Sequence, residues 1–146
     1  MKKVLVCREK DERETRVSLI PDDVKKLISM GFEIKVVSKA GLKSGFSDEA
    51  YKNAGAQIVD SEESAYSDSQ IIVRIMKPES IKGIQKDTLH LSYMDPFNQK
   101  ELLNEFASQG VQAVSLEMIP RTTLAQKMDV QSSQTSLAGY VAVLNA

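Results

Sequence analysis

The chain has 146 residues, of which 42% are hydrophobic, 19 are Lys or Arg and 20 are Asp or Glu, with a formal net charge of −1 at pH 7. Its length is typical of one domain with a sizeable core, and the balanced charge argues against a binder of nucleic acid or of a membrane surface. One cysteine excludes an internal disulfide, and no apolar run approaches the roughly 20 residues that cross a bilayer. We therefore expect a soluble, intracellular protein.

Six short apolar segments predict β-strands. They span residues 4–7, 34–38, 57–59, 70–75, 89–93 and 111–116. Several are continuously apolar rather than alternating, as in Ile71-Ile72-Val73, which is typical of strands buried on both faces of a parallel sheet.

The segment after the first strand predicts a helix that begins at Pro21. Proline presets the backbone angle of a first helical turn, and the apolar residues Val24, Leu27 and Ile28 then recur at the spacing of one helix face. Gly31 follows, and glycine readily adopts the left-handed conformation that ends a helix. We therefore predict a helix between the first two strands.

Two further helices carry similar signals. Ser47 is predicted to cap a helix over 48–54 that ends at Gly55. Asn98 and Glu101 have the spacing of a capping box, and the helix they open is predicted to end at Gly110. Strands and helices joined by short connections predict an α/β fold, a three-layer Rossmann-like or flavodoxin-like sandwich with a mostly parallel sheet.

The last part of the sequence differs from this alternation. Residues 117–130 are too long for a routine connection and carry four charges, and long ordered loops are often functional. Leu137, Tyr140, Val141 and Leu144 then predict a final helix over 132–146. Its sequence shows no stop signal, so we expect the helix to continue beyond the chain, with a frayed terminal helix as the alternative.

Charged residues follow several predicted strands at their carboxyl ends, where open α/β sheets bind ligands. Eight of the nine residues 8–16 are charged. If the sheet is parallel, Arg16, Arg74, Lys77 and Asp95 converge at one edge, and the cations would suit a carboxylate or phosphate. Two more polar residues occupy equivalent positions, Tyr93 after the fifth predicted strand and Glu117 after the sixth. The alternative is that these polar and charged residues only keep the edge of the sheet soluble.

Other candidate residues favour structural roles. The only histidine, His90, lies inside a predicted strand without a catalytic partner placed by sequence, and Cys7 is expected to be buried. No ligand spacing indicates a metal. Residues 39–45 lack the G-x-G-x-x-G spacing, so we expect no ordinary dinucleotide pyrophosphate site here.

Several segments together resemble a known family. Residues 8–9, 14–21, 41–48, 54–59 and 72–78 resemble, in order, the opening of the alanine dehydrogenase and nicotinamide nucleotide transhydrogenase family. Within it, the long loop resembles the transhydrogenase alpha-subunit branch, in which an Arg-x4-Gln-x2-Asp loop reaches the meeting point of two nicotinamide rings. Arg121, Gln126 and Asp129 have that spacing, and Ser132 follows. Alanine dehydrogenases instead carry a lysine and a histidine at the positions of Arg74 and Asp95.

The resemblance implies a function. It implies direct hydride transfer between NAD(H) and NADP(H), coupled to proton movement through a separate membrane part, with this domain on the cytoplasmic side of the membrane. Gln126 would contact the cofactor, Arg121 and Asp129 would position it, and Ser132 would join the binding site. NADP(H) would bind a partner domain, and the protein would be a homodimer.

The resemblance also implies that the enzyme is larger than this chain. Residues 1–131 would form the N-terminal domain, and residues 132–146 would begin a crossover helix to an NAD-binding domain that this sequence lacks. The isolated chain should then be inactive and bind NADH weakly or not at all. Two alternatives stay open, namely a fragment of an alanine dehydrogenase and a non-catalytic interaction or scaffold domain that docks through its last helix.

Overall fold

The computed structural model describes residues 2–145. In chain order its elements are β1 (Lys3–Val6), α1 (Pro21–Ser29), β2 (Glu33–Val37), α2 (Asp48–Asn53), β3 (Gln57–Val59), α3 (Glu63–Tyr66), β4 (Ile71–Val73), β5 (Leu89–Ser92), α4 (Lys100–Gln109), β6 (Gln112–Ser115) and α5 (Val130–Leu144). Single 3-10 turns lie at Leu42–Ser44, Leu116–Met118 and Gln126–Met128. Within residues 2–145 no helix is long and apolar enough to cross a membrane.

All six strands pair in parallel, in the order β3-β2-β1-β4-β5-β6. From β1 the sheet extends through β2 to β3 on one side. The chain then returns, and β4 pairs with the other side of β1, followed by β5 and β6. This reversal opens a crevice at the carboxyl ends of β1 and β4, where such sheets bind ligands. The predicted α/β fold is confirmed, and its sheet is parallel throughout the described part of the chain.

Two apolar cores lie on opposite faces of the sheet, which confirms the three-layer prediction. On one face, α1 and α2 contribute Val24 and Tyr51, both fully buried. On the other face, α3 and α4 contribute Tyr66 and Phe106. The inner strands are therefore covered on both sides, which explains their continuous apolar sequences.

Local turn signals agree with the structure at several helix ends. The Ser47 side chain accepts a hydrogen bond from the backbone N–H of Ala50 and caps α2, as predicted. The three glycines that were expected to end helices all have positive φ angles; they are Gly31, Gly55 and Gly110. Each lets the chain turn back directly into the next strand.

The predicted capping box at Asn98 is wrong. Helix α4 begins at Lys100, and its N-cap residue Gln99 makes no side-chain capping bond. Asn98 instead donates from its amide to the carboxylate of Asp95, at 2.9 and 3.1 Å, because the two side chains meet across a tight turn. Helix α3 was not predicted, since one helical turn is too short to show a periodic pattern.

Helix α5 begins at Val130, two residues before the predicted start. Its predicted end at Ala146 lies outside the described residues. The apolar stripe of this helix is exposed over more than half of each side chain; its members are Leu137, Tyr140, Val141 and Leu144. Helix α5 thus adds no side chain to either core within residues 2–145.

Candidate functional site

A cavity of about 380 Å³ opens at the carboxyl ends of the central strands. It is lined by side chains that follow five of the six strands and by the start of α5; the principal ones are Arg16, Ser18, Arg74, Tyr93, Leu116 and Gln134. The cavity therefore lies at the reversal of strand order, the place where the topology predicts ligand binding.

Arg16 is held at this cavity from two sides. Its Nε and Nη2 donate to the two carboxylate oxygens of Glu14, at 2.8 and 2.6 Å, and its Nη1 donates to Oε1 of Gln134 at 2.9 Å. The hydrogen bond from Arg16 lowers the pKa of the Glu14 carboxyl. This arginine therefore joins the loop after β1 to helix α5 in a fixed geometry.

Arg74 lines the same cavity but is held by a partner inside the protein. Its Nη1 lies 3.2 Å from Oε2 of Glu62, which also accepts a hydrogen bond from the hydroxyl of Tyr66 at 2.7 Å. Both charged side chains are buried, and burial raises the pKa of the Tyr66 hydroxyl. Nε of Arg74 has no hydrogen-bond partner among the described residues. Its charge is therefore largely neutralised by Glu62.

The expected convergence of four charged residues is only partly present. Arg16 and Arg74 share the cavity, whereas Lys77 and Asp95 do not line it. Lys77 is exposed, and the Asp95 carboxylate accepts hydrogen bonds from Asn98. The tight turn after β5, where Asp95 has a φ of 51°, directs that carboxylate to its own loop.

Two carboxylates brace the ends of the strands around the cavity. Glu117 accepts a hydrogen bond from the backbone N–H of Met94 at 2.9 Å and another from the hydroxyl of Ser115 at 2.6 Å. Glu9 accepts hydrogen bonds from the backbone N–H groups of Ile75 and Met76, at 2.7 and 3.1 Å. Glu9 is buried although it belongs to the charged segment 8–16, and no local signal distinguishes it from its exposed neighbours.

The structure brings all four loop residues of the sequence prediction together. Arg121, Gln126, Asp129 and Ser132 line a second, open cavity of about 300 Å³. Asp129 accepts hydrogen bonds from the N–H and the hydroxyl of Ser132, and these bonds, with the charge of Arg121, lower its pKa. Asp129 is thus the N-cap of α5.

Gln126 and Arg121 are arranged differently from Asp129. Both are exposed, and neither side chain makes a hydrogen bond or ion pair with any residue between 2 and 145. Gln126 lies in the 3-10 turn that directly precedes Asp129. The loop thus carries two polar groups available to a ligand and two that hold its own shape.

The only histidine and the only cysteine are structural. His90 is buried beside Phe106 with ring centroids 5.2 Å apart, and burial together with the Arg74 charge lowers its pKa to about 3. Burial also raises the pKa of the Cys7 thiol. Neither group is charged near neutral pH. In the part of the chain that the structure describes, no three His, Cys, Asp or Glu residues form a metal-binding cluster.

The family model described as "Alanine dehydrogenase/PNT, N-terminal domain" matches residues 5–138. NAD(P) transhydrogenase subunit alpha of Cereibacter sphaeroides is 35% identical over 99% of this chain. The chain spans only 28% of the length of that relative.

A solved transhydrogenase structure superposes more closely on this chain than a solved alanine dehydrogenase does. The transhydrogenase from Sinorhizobium meliloti superposes over 99% of this chain and 44% of its own, with a TM-score of 0.92 and 35% identity. An L-alanine dehydrogenase superposes over 80% of this chain and 33% of its own, with a TM-score of 0.75 and 29% identity. Nearly the whole chain therefore has a structural counterpart in the transhydrogenase.

Proposed function

The chain belongs to the alanine dehydrogenase/PNT N-terminal domain family, and we propose that it is the N-terminal part of the NAD(H)-binding component of a proton-translocating NAD(P) transhydrogenase. In this proposal hydride passes between NAD(H) and NADP(H), the latter on a partner domain. Residues 1–131 form the N-terminal domain, and 132–146 begin the crossover to an NAD-binding domain. The assembly is a homodimer with membrane parts, and this domain lies on their cytoplasmic side.

The observation that carries the proposal is the arrangement of residues 121–132. Gln126 and Arg121 present unpaired polar groups at one cavity, while Asp129 and Ser132 bond each other and anchor the loop to α5. Gln126 is thus suited to contact a ribose or a carboxamide, since its amide both donates and accepts. Asp129 and Ser132 act as positioning residues because their polar atoms are engaged within the protein.

This division suits the chemistry of hydride transfer. The nicotinamide supplies the reactive carbon, and the protein supplies placement and electrostatics. No general base is required, and holding two rings in a reactive geometry accounts for much of the rate. A loop with a fixed backbone and two available polar groups meets that requirement.

The alternative of an alanine dehydrogenase is less well supported. At the position where that branch carries a lysine, Arg74 is neutralised by Glu62, and at the position of its histidine, Asp95 bonds Asn98. A scaffold role has one observation in its favour, the exposed apolar stripe of α5. A partner protein that binds the chain without nucleotide would favour it.

The test replaces the matching region of the Cereibacter sphaeroides relative with this chain and measures hydride transfer between the two coenzymes. Gln126→Asn should slow transfer more than it weakens NADH binding, because the shorter side chain misplaces the ring. Gln109→Asn, an exposed glutamine of α4, is the matched control and should leave both unchanged. An unchanged rate in Gln126→Asn would refute the role of Gln126, and alanine-dependent formation of NADH would favour the dehydrogenase.

The isolated chain provides a second test. It lacks a glycine-rich phosphate loop between residues 2 and 145; Gly41 packs against Tyr51 instead, where an added Cβ would lie 2.6 Å from the tyrosine hydroxyl. We expect NADH titration to show weak binding or none. A micromolar affinity for NADH would contradict the assignment of the main dinucleotide-binding site to another domain.

A further inference from the structure

A third cavity, of about 360 Å³, lies between the loop after β1 and the segment after β2. It is separate from the loop 121–132 in its lining residues. Its charged lining comprises five basic residues, Arg8, Lys10, Arg16, Lys39 and Lys43, and three acidic residues, Glu9, Glu12 and Glu14. This cavity is at the carboxyl edge of the sheet, and basic residues are in excess there.

The two walls of this cavity are tied together. The Lys43 ammonium donates to the backbone carbonyls of Asp11 and Glu12, both at 3.1 Å, and the Ser44 hydroxyl donates to the carbonyl of Thr15 at 2.6 Å. The loop after β1 is thereby fixed against the segment after β2. A ligand entering here has little loop ordering to impose, which favours binding.

Most of the acidic groups in the lining are already engaged. Glu9 accepts two backbone N–H bonds from the segment after β4, and Glu14 forms its two-pronged pair with Arg16. Lys10 is paired with Glu79 at 3.2 Å. Glu12 is exposed and is the remaining carboxylate of the lining.

Three cations remain without a carboxylate partner. Arg8 and Lys39 have no carboxylate within 4 Å among residues 2–145, and Lys43 is bonded only to carbonyl oxygens. Three positive charges facing one preformed cavity attract a multiply charged anion.

The backbone of Lys39 gives a separate reason to assign this site. Its φ is +64°, in the left-handed region where a residue with a side chain is disfavoured and glycine is not. Asp48 holds this conformation, because its carboxylate accepts the Lys39 N–H and the Ser38 hydroxyl, both at 2.7 Å. Strained backbone conformations are concentrated at functional sites. A lysine at a position where glycine would be less strained therefore indicates that the lysine side chain has a function.

We propose that this cavity binds the terminal phosphate groups of a phosphorylated small molecule, with Arg8, Lys39 and Lys43 as the binding cations. The guanidinium can bond two phosphate oxygens at once, and the two ammonium groups supply point charges. NADH carries its phosphates only as an internal diester of lower charge, so it is a poor ligand for this site. The site is therefore distinct from the cofactor contact at Gln126.

The test is calorimetric titration of the 146-residue chain with inorganic pyrophosphate at low salt. Binding should be detectable and should weaken as NaCl is added. Lys39→Met should lower the affinity about tenfold or more, as expected for loss of a charge-assisted bond. Lys2→Met removes the same charge at the opposite edge of the sheet, directly before β1, and should change the affinity less than about twofold.

A glycine variant separates binding from structure. Lys39→Gly should weaken pyrophosphate binding as much as Lys39→Met does, without lowering the midpoint of thermal unfolding, because glycine relieves the left-handed strain. Parallel titrations with ADP and with inorganic pyrophosphate distinguish a nucleotide from a free diphosphate as the source of the phosphates. Absence of pyrophosphate binding at millimolar concentration, or equal affinities in Lys39→Met and Lys2→Met, would overturn the proposal.

Discussion

Asp129 accepts two hydrogen bonds from Ser132, one from the backbone N–H at 2.9 Å and one from the hydroxyl at 2.5 Å. Because Ser132 lies in the first turn of α5, this contact joins the end of the loop 117–129 to the helix. The same two residues line the cavity that Gln126 and Arg121 flank. The geometry of the candidate cofactor loop therefore depends on a helix cap.

Removing that cap should loosen the start of α5. In Asp129→Ala, we expect the protection of the Ser132 amide against hydrogen exchange to fall about fivefold, as for loss of an N-cap. Asp129→Asn keeps an oxygen that can accept the same N–H bond and should retain most of the protection. Equal losses in both variants would show that charge, rather than the cap, orders the loop.

The buried pair of Arg74 and Glu62 should be sensitive to loss of either charge. Glu62→Gln leaves the Arg74 charge buried without compensation, and we expect the free energy of unfolding to fall by about 3–5 kcal/mol. Glu63→Gln alters the exposed neighbour and should change it by less than about 0.5 kcal/mol. Urea denaturation of the two variants measures the difference, and similar values would rule out a dominant role for the buried pair.

His90 should remain neutral across the physiological pH range. Its pKa is lowered to about 3 by burial and then by the Arg74 charge, whereas in the unfolded chain it returns to its ordinary value of 6.5. The unfolded state therefore binds more protons between these two values, and the stability that His90 contributes is lost as the pH falls from about 7 toward 3.

Proton NMR tests this directly, because the chain has one histidine and one set of imidazole resonances. We expect those resonances not to shift between pH 8 and pH 5. A midpoint near 6.5 in the folded protein would contradict the buried, neutral state. His90→Phe should remove this part of the pH dependence of stability.

Asp68 should make stability depend on pH in a lower range. Its carboxylate lies 2.6 Å from the ammonium groups of both Lys3 and Lys35, and these hydrogen bonds lower its pKa from 3.8 to about 2. The contribution is fully present above the ordinary pKa and is lost as the pH falls toward 2. Asp68→Asn should flatten the dependence of the urea midpoint on pH between 5 and 2. Asp60→Asn, which alters an exposed carboxylate that directly follows β3, should retain the slope of the parent chain.

Features that depend on nearby residues were predictable from sequence. The six strands, the cap at Ser47 and the glycine turns agree with the structure because each is determined by residues within about one turn or strand. Arg121, Gln126 and Asp129 were named from the resemblance of their loop to the transhydrogenase branch, and the structure places the three at one cavity. The incorrect capping box at Asn98 shows where such local prediction fails. Asp95 and Glu101 are each three residues from Asn98, and sequence spacing does not decide which of them is its partner.

Features that join distant segments were decided by the tertiary structure. Burial of β1 between β2 and β4 determines the strand order, and that order brings Glu9 to the backbone of Ile75, 66 residues later. The same packing neutralises Arg74 with Glu62, whereas the local turn at Asp95 keeps that carboxylate away from the cavity that Arg16 and Arg74 share. The sequence by itself determines which residues are charged and which segments are apolar. The partner of each buried charge depends on the tertiary structure, because packing on both faces of the sheet excludes water and a buried charge then needs a partner within the protein.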